Sequence, residues 1–432
     1  MSADRRIFAI VLSFGVTLAA APAGAEEADV TYYKDVLPIV QDNCQSCHSD
    51  AAYNISGLVA PMSLMSYEET RPWARAIARK VEAKEMPPWF ASAPTGVFEN
   101  ERGLTADEIA TISAWVNAGA PAGDRADAPP PKVFAEVTND GWSHGTPDFV
   151  VQMPEPYVIP DDAYDINTTI NVEIPNDVLS DEVWVRGWEL KTGSKGRGVH
   201  HMCAFVGAEG VDPVTGSSKS ALGLRGLLSC VAEGAESGML PDGYGLRLRP
   251  GSTLSFNMHF NKEPGPGTSF ESQAAVGFFV ETRPVEHEVI SDTLGNNGFE
   301  IPPNVANYRV GMARTMKKDT MLLNLWPHAH LRAVASRYIA YYPDGTEEVL
   351  LDVPNYDQSW QVTYKYKDQK LLPKGTRLEV EFWYDNTEER GVRRAFNPDR
   401  SIGFGARSND EMSLGFLSYV ELDDESPTSN DD

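Results

Sequence analysis

The chain has 432 residues, of which 42% are hydrophobic, and a formal net charge of −25 at pH 7. That length allows two or three domains with sizeable cores. So acidic a balance works against a nucleic-acid backbone as partner and suits a well-solvated protein outside the cytoplasm. Residues 1–25 read as a secretory signal peptide. Arg5 and Arg6 give a basic start, Ile7 to Ala21 an apolar run too short to span a bilayer comfortably, and Ala23-Gly24-Ala25 a small-residue cleavage site. No cysteine lies at the cut and no later apolar run reaches spanning length. The expectation is a periplasmic or secreted protein with no membrane anchor after cleavage.

Cys44-Gln45-Ser46-Cys47-His48 has the spacing for covalent haem attachment: two thiols bond the porphyrin and the next histidine reaches the iron. A redox C-x-x-C needs no histidine, and no βαβ pattern surrounds this one. Apolar spacing predicts helices over Tyr32 to Asn43 and Trp73 to Ala83. Thr105 with Glu108 forms a capping box for a third, which stops at Gly119 before Pro121. Helix, haem motif, loop and terminal helix resemble a small class I cytochrome c, which implies an all-α domain over residues 26–121 with one haem c. Met86, set before Pro87 and Pro88 in stiff backbone, is the first choice as sixth iron ligand; Met62 and Met65 compete. Asp124 to Lys132 is rich in Pro and Ala, so residues 122–140 read as a semi-rigid linker.

From Gly141 onward short β-branched and aromatic runs are separated by Pro, Gly, Asn and Asp, as in Leu254 to Phe260 and Leu378 to Tyr384. This predicts two tandem all-β sandwiches, over 141–283 and 284–420, and a disordered acidic tail over 421–432. In an oxidising compartment Cys203 and Cys230, the pair left outside the haem motif, are expected to form a disulfide, with two buried thiols as the alternative.

Five of the eight histidines fall in one series: His200, His201, His259, His328 and His330. On a strand His328 and His330 face the same way, a simple route to two imidazoles on one metal. With the thioether of Met412 they suit copper, Cu(I) in particular; zinc rarely accepts methionine. Adjacent His200 and His201 would face opposite ways on a regular strand. Sharing a metal with His259 therefore requires a bulge, a strand end or different ring nitrogens, and Gly196 and Gly198 fit irregular backbone there. His144 and His287 read as surface or linker residues, and Met202 and Met258 as packing.

In order and interval, Val199-His200-His201-Met202, Met258-His259-Phe260, His328-Ala329-His330 and Glu411-Met412 are similar to the ligand motifs of the copper type II, ascorbate-dependent monooxygenases. That family includes the peptidylglycine α-hydroxylating and dopamine β-monooxygenases. The resemblance spans residues 141–420 and implies two jelly-roll sandwiches with two copper ions. His200, His201 and His259 would hold the electron-transfer copper. His328, His330 and Met412 would hold the one that meets O2 and substrate. The implied activity is hydroxylation of a C–H bond, with electrons passing from haem c through the three-histidine copper. Partners would be O2, a small-molecule substrate and an external donor, either an ascorbate-like reductant or a redox protein.

The chain departs from the peptide-hydroxylating members around the substrate. They carry an arginine two residues before the H-x-H pair, where Trp326 stands here; Leu414 and Phe416 replace polar and tyrosine side chains after the methionine. A neutral or apolar substrate is therefore expected. Asp410 and Glu411 read as a solvated turn, with orientation of Met412 or substrate contact as alternatives. The other functional readings are an electron-transfer or copper-binding protein without hydroxylase activity and, more weakly, a copper nitrite reductase. The last would want a cysteine ligand, for which Cys203 lacks the spacing.

Overall fold

The computed structural model describes residues 30–49, 60, 62–94, 96–132, 141–194, 198–207, 226–232 and 238–422. The expected signal peptide, Gly196, residues 133–140 of the expected linker and the expected tail from Asp423 lie outside the described residues.

Two sandwiches account for most of the chain. In the first, strands Phe149–Gln152, Ala275–Val280, Val183–Lys191, Tyr244–Leu248 and His287–Glu288 follow one another in one sheet, with Gly238–Met239 beside Val183–Lys191. The facing sheet runs Asp165–Glu173, Thr253–Asn261, Val199–Gly207, Leu227–Ala232. In the second, Ile290–Gly295, Leu414–Glu421, Thr320–His328 and Tyr364–Leu372 face Tyr308–Thr315, Arg377–Tyr384, Ala333–Tyr341 and Glu347–Val353. The four sheets are antiparallel except where His287–Glu288 runs parallel to Tyr244–Leu248, at the passage from one sandwich to the next.

Side-chain alternation explains how these sheets pack. Along Thr253–Asn261, Leu254, Phe256, Met258 and Phe260 point into the first core, where they meet Met202 and Ala204 of the neighbouring strand. Burying each such aromatic or aliphatic side chain contributes roughly 1.5–3 kcal/mol. The odd residues of Val199–Gly207 turn the other way. Cys203 and Phe205 pack there with Trp326, Leu414 and Phe416, so the outer face of one sandwich lies against the outer face of the other. Tyr338, Phe382 and Tyr384 fill the second core.

The expectation of a self-contained all-α domain ahead of the sandwiches is corrected. Among the described residues strand far outweighs helix, and the five α-helices are short, the longest being the 12-residue Ala106–Asn117. The predicted first helix begins as a wide π-type turn, Tyr32–Val36, before Leu37–Asn43; the predicted second is Ala74–Glu82. These helices share a small core with Trp115 and Ile112, but residues 89–100 leave it. Trp89 and Phe98 pack into the second sandwich, Phe98 pairs with Tyr366, and Glu99 N–H donates to the Lys365 carbonyl at 2.8 Å. Helical spacing reports the helices; it is silent on aromatic residues in an aperiodic loop that dock on a distant sheet. The stretch from Pro121 is tied to the helices: the Tyr32 and Tyr33 N–H groups donate to the Pro121 and Ala122 carbonyls, and Gln41 Nε2 to that of Pro130. No helix among the described residues is long and apolar enough to cross a membrane.

Candidate metal centre

The ladder between Val199–Gly207 and Thr253–Asn261 slips between Val199 and His201, because Val199 opposes Phe260 while His201 already opposes His259. His200 is thus the extra residue of a bulge, which breaks the strict alternation of faces. Gly198, just before it, has φ +59°, and a Cβ there would come within 2.7 Å of the Phe270 ring. Only glycine meets both conditions. The His200 side chain lies outside what is described.

His201 and His259, cross-strand partners, have ring centroids 5.0 Å apart and nearly perpendicular planes. His259 Nε2 faces the Asp165 carboxylate. Across the inter-sandwich face, His328 approaches His201 at 6.2 Å and His330 at 5.3 Å, centroid to centroid. Four buried imidazoles thus form one line, His259–His201–His328–His330. The sequence assigns them to two sets, one per sandwich; the structure brings the sets edge to edge.

Hydrogen bonds fix the second pair. His328 Nδ1 meets Gln361 Oε1 at 2.5 Å, so Nε2 is the nitrogen left to ligate. Burial pushes the His328 imidazole down to about 4, keeping it neutral with a lone pair to give. His330 Nδ1 lies 3.2 Å from the Asp410 carbonyl. Glu411 is fully buried, not part of a solvated turn. Its two carboxylate oxygens accept from the His330 and Arg332 N–H groups at 2.9 and 2.6 Å, clamping the loop that carries His330. Burial raises its carboxyl to about 7. Met412 follows directly, half-buried against the apolar cluster to which Cys203, Trp326 and Phe416 belong, its carbonyl accepting from Tyr384 Oη at 2.5 Å.

Among the described residues no group of three His, Cys, Asp or Glu side chains is placed to hold one ion. One expected ligand set includes His200 and the other the thioether of Met412, which leaves each with two described side chains of those four types. In donor chemistry buried imidazoles together with the thioether of Met412 suit a copper ion.

Cys203 and Cys230 are joined as a disulfide on the inter-sandwich face. Cys44 and Cys47 are not joined to each other. They share a tight turn in which His48 N–H donates to the Cys44 carbonyl at 2.9 Å, and burial pushes the Cys44 thiol up to about 12. His48 Nδ1 lies 3.1 Å from the Met62 carbonyl, leaving Nε2 to ligate, while burial lowers the basicity of the ring. Two thiols and an oriented neutral imidazole on one turn fit covalent haem. Met62 is tied by its backbone to the Nδ1 side of His48; Met65 is 38% exposed, and Met86 is half-buried after the Ala74–Glu82 helix. Outside these groups, His144 is exposed, and the His287 ring lies tilted against Tyr244, 4.6 Å between centroids.

Sequence reasoning missed Gln361 and Asp165, which sit 33 and 94 residues from the histidines they orient. It also missed the offset stack of Trp326 on Phe416, 4.7 Å between centroids. The register that opposes these two residues is a property of the sheet.

No family model and no curated protein matches the chain. Among solved structures, a cryo-EM structure of Broad Bean Stain Virus is similar over 64% of this chain and 89% of its own, at 9% identity and TM-score 0.30. The STIV MCP is similar over 63% and 96%, at 8% identity and TM-score 0.27. Cowpea mosaic virus top component follows over 60% and 90%, at 6% identity and TM-score 0.25. At TM-scores this low the likenesses bear on neither the fold nor the chemistry of this chain.

Proposed function

We propose that the protein is an exported copper- and haem-dependent monooxygenase that hydroxylates a C–H bond of a small neutral or apolar molecule with O2. The observation that supports this most is the line of four buried imidazoles across the inter-sandwich face, its last member, His330, held by Asp410 and Glu411, the two residues before Met412. His200, His201 and His259 would hold one copper ion, and His328, His330 and Met412 a second. Cys44, Cys47, His48 and Met86 would hold haem c. When bound, copper supplies one-electron redox chemistry and O2 activation, and haem supplies electrons from an external donor.

The chain's own residues prepare that chemistry. Gln361 sets the rotation of the His328 ring, and the Glu411 carboxylate holds the His330 loop at two N–H groups. Trp326 and Phe416 lie 5.5 and 6.4 Å from His328, centroid to centroid, and present apolar faces where peptide-hydroxylating members carry arginine and polar groups. They exclude water from the imidazoles and disfavour a substrate carboxylate at this wall.

The test uses the full chain carrying haem and copper, with isotope-labelled O2, a reductant and a panel of neutral small molecules. Label should enter a hydroxylated product, and Met412→Ala should abolish incorporation while haem reduction persists. Reoxidation of haem that ignores copper removal, with no labelled product from the panel, would sink the hydroxylase and leave the electron-transfer reading.

A further inference from the structure

We infer that electrons from the haem-bearing segment enter the sandwiches at the second ligand set, through Trp89, Tyr364 and Gln361 to His328, and reach the three-histidine set only afterwards. This is the reverse of the order that the family resemblance implies, and it rests on the proposed haem and copper ions. The step is a single electron transfer. Haem iron goes from Fe(II) to Fe(III), copper from Cu(II) to Cu(I), and no bond or proton moves.

The packing of residues 89–100 carries the inference. Met86, one of the residues proposed to hold haem, stands just before Pro87, Pro88 and Trp89. The Trp89 ring lies edge-on to Tyr364, 5.0 Å between centroids. Tyr364 is buried, and its hydroxyl is hydrogen-bonded to the Phe90 backbone. Polar contacts hold the same place: Asn100 Nδ2 donates to the Thr363 carbonyl at 2.7 Å, and Lys365 N–H to Asn100 Oδ1 at 3.1 Å. Leu325 opposes Tyr364 in the antiparallel ladder, so continuing along both strands brings Gln361 beside His328. Gln361 closes the path with its 2.5 Å bond to Nδ1 of that ring. Every link is a stretch of chain, a ring contact or a hydrogen bond.

Toward the first sandwich the same segment meets open space. Glu99 lines a cavity of about 430 Å³ together with Trp188 and Cys230. Electronic coupling falls faster across open space than through packed atoms, so the second set is the better connected of the two. From there the electron passes on where His328 meets His201, 6.2 Å between centroids.

The test uses the full chain carrying haem and Cu(II), under argon, with a flash photoreductant that places one electron on the haem. Absorbance follows haem oxidation, and freeze-quench electron paramagnetic resonance follows copper reduction. His259→Ala, which keeps copper at the second set, should retain the fast haem oxidation; His330→Ala, which keeps copper at the first, should lose it. The opposite pattern would overturn the inference. Trp89→Leu should slow haem oxidation at unchanged copper content and haem spectrum, and Trp89→Phe, which restores a ring, should recover part of the rate. If a histidine variant loses both ions, the Trp89 variants decide: a Trp89→Leu protein as fast as the unmodified one overturns the inference. A chain that takes up no covalent haem overturns it together with the haem assignment. Haem that neither copper set oxidises also overturns it, while labelled product formed with ascorbate would leave the hydroxylase standing. Fast haem oxidation through the second set, with no labelled product from any substrate, does the reverse.

Discussion

Phe98→Ala tests whether residues 89–100 are part of the second sandwich. Phe98 is 3% exposed, and its ring lies 5.9 Å from Trp89, 5.5 Å from Tyr364 and 5.3 Å from Tyr366. Backbone bonds flank it: Lys367 N–H donates to the Val97 carbonyl at 3.1 Å and Glu99 N–H to that of Lys365 at 2.8 Å. A phenylalanine buries about 150–250 Å², so about 25 cal/mol per Å² gives roughly 4–6 kcal/mol for the whole ring. Alanine retains a little of that area, and measured Phe→Ala losses in cores run about 3–5 kcal/mol. The expected cost is therefore about 3–5 kcal/mol on the transition of the second sandwich. Urea unfolding followed by tryptophan fluorescence reads it, with several transitions fitted for a multi-part chain. Limited proteolysis should cut the variant within 89–100 before the sandwiches unfold. A loss below about 1 kcal/mol, with an unchanged cleavage pattern, would mean that the segment contributes no core and that its docking is wrong.

Gln361→Leu should weaken copper binding at the second ligand set by about 10- to 100-fold in a chelator competition, because the His328 ring loses its orienting partner. Gln361→Glu, which keeps an acceptor, should recover much of it; equal affinities for all three proteins would remove Gln361 from the site. Replacing Cys203 and Cys230 together by alanine opens a loop with a sequence separation of 27, and the chain-entropy relation puts the loss near 3.5 kcal/mol; no change in the denaturation midpoint under oxidising conditions would contradict the pairing. Arg283 holds the buried Glu281 carboxyl down to about 2. Its folded value is depressed, so this stabilisation is complete above the ordinary carboxylate range and is lost as pH falls toward 2. Glu281→Gln should flatten the acid limb of the melting-temperature profile, and an identical limb would show that other groups set it.

Local chemistry was legible where it is decided locally. Thr105 and Glu108 form the capping box the spacing predicts, because cap and helix lie within four residues. The Trp89 to Phe98 loop was opaque for the opposite reason: it has no period of its own, and its aromatics acquire a place only from Tyr364 and Tyr366, far along the chain. The meeting of the two histidine sets lies between these cases. A strand with one solvated face should alternate apolar and polar residues. In Val199–Gly207 both faces are apolar: Met202 and Ala204 on one, Cys203 and Phe205 on the other. Thr253–Asn261 likewise buries Ser255 and His259 opposite its core residues. Double-sided burial in an antiparallel sheet requires a second layer over the outer face. That layer is the Thr320–His328 and Leu414–Glu421 pair, so the residues that make the first sandwich sticky on its outside also bring His201 to His328. One face thus carries the inter-sandwich packing and the donor groups together. A mutation that loosens Trp326 or the Cys203–Cys230 bridge should therefore disturb metal binding without touching a ligand.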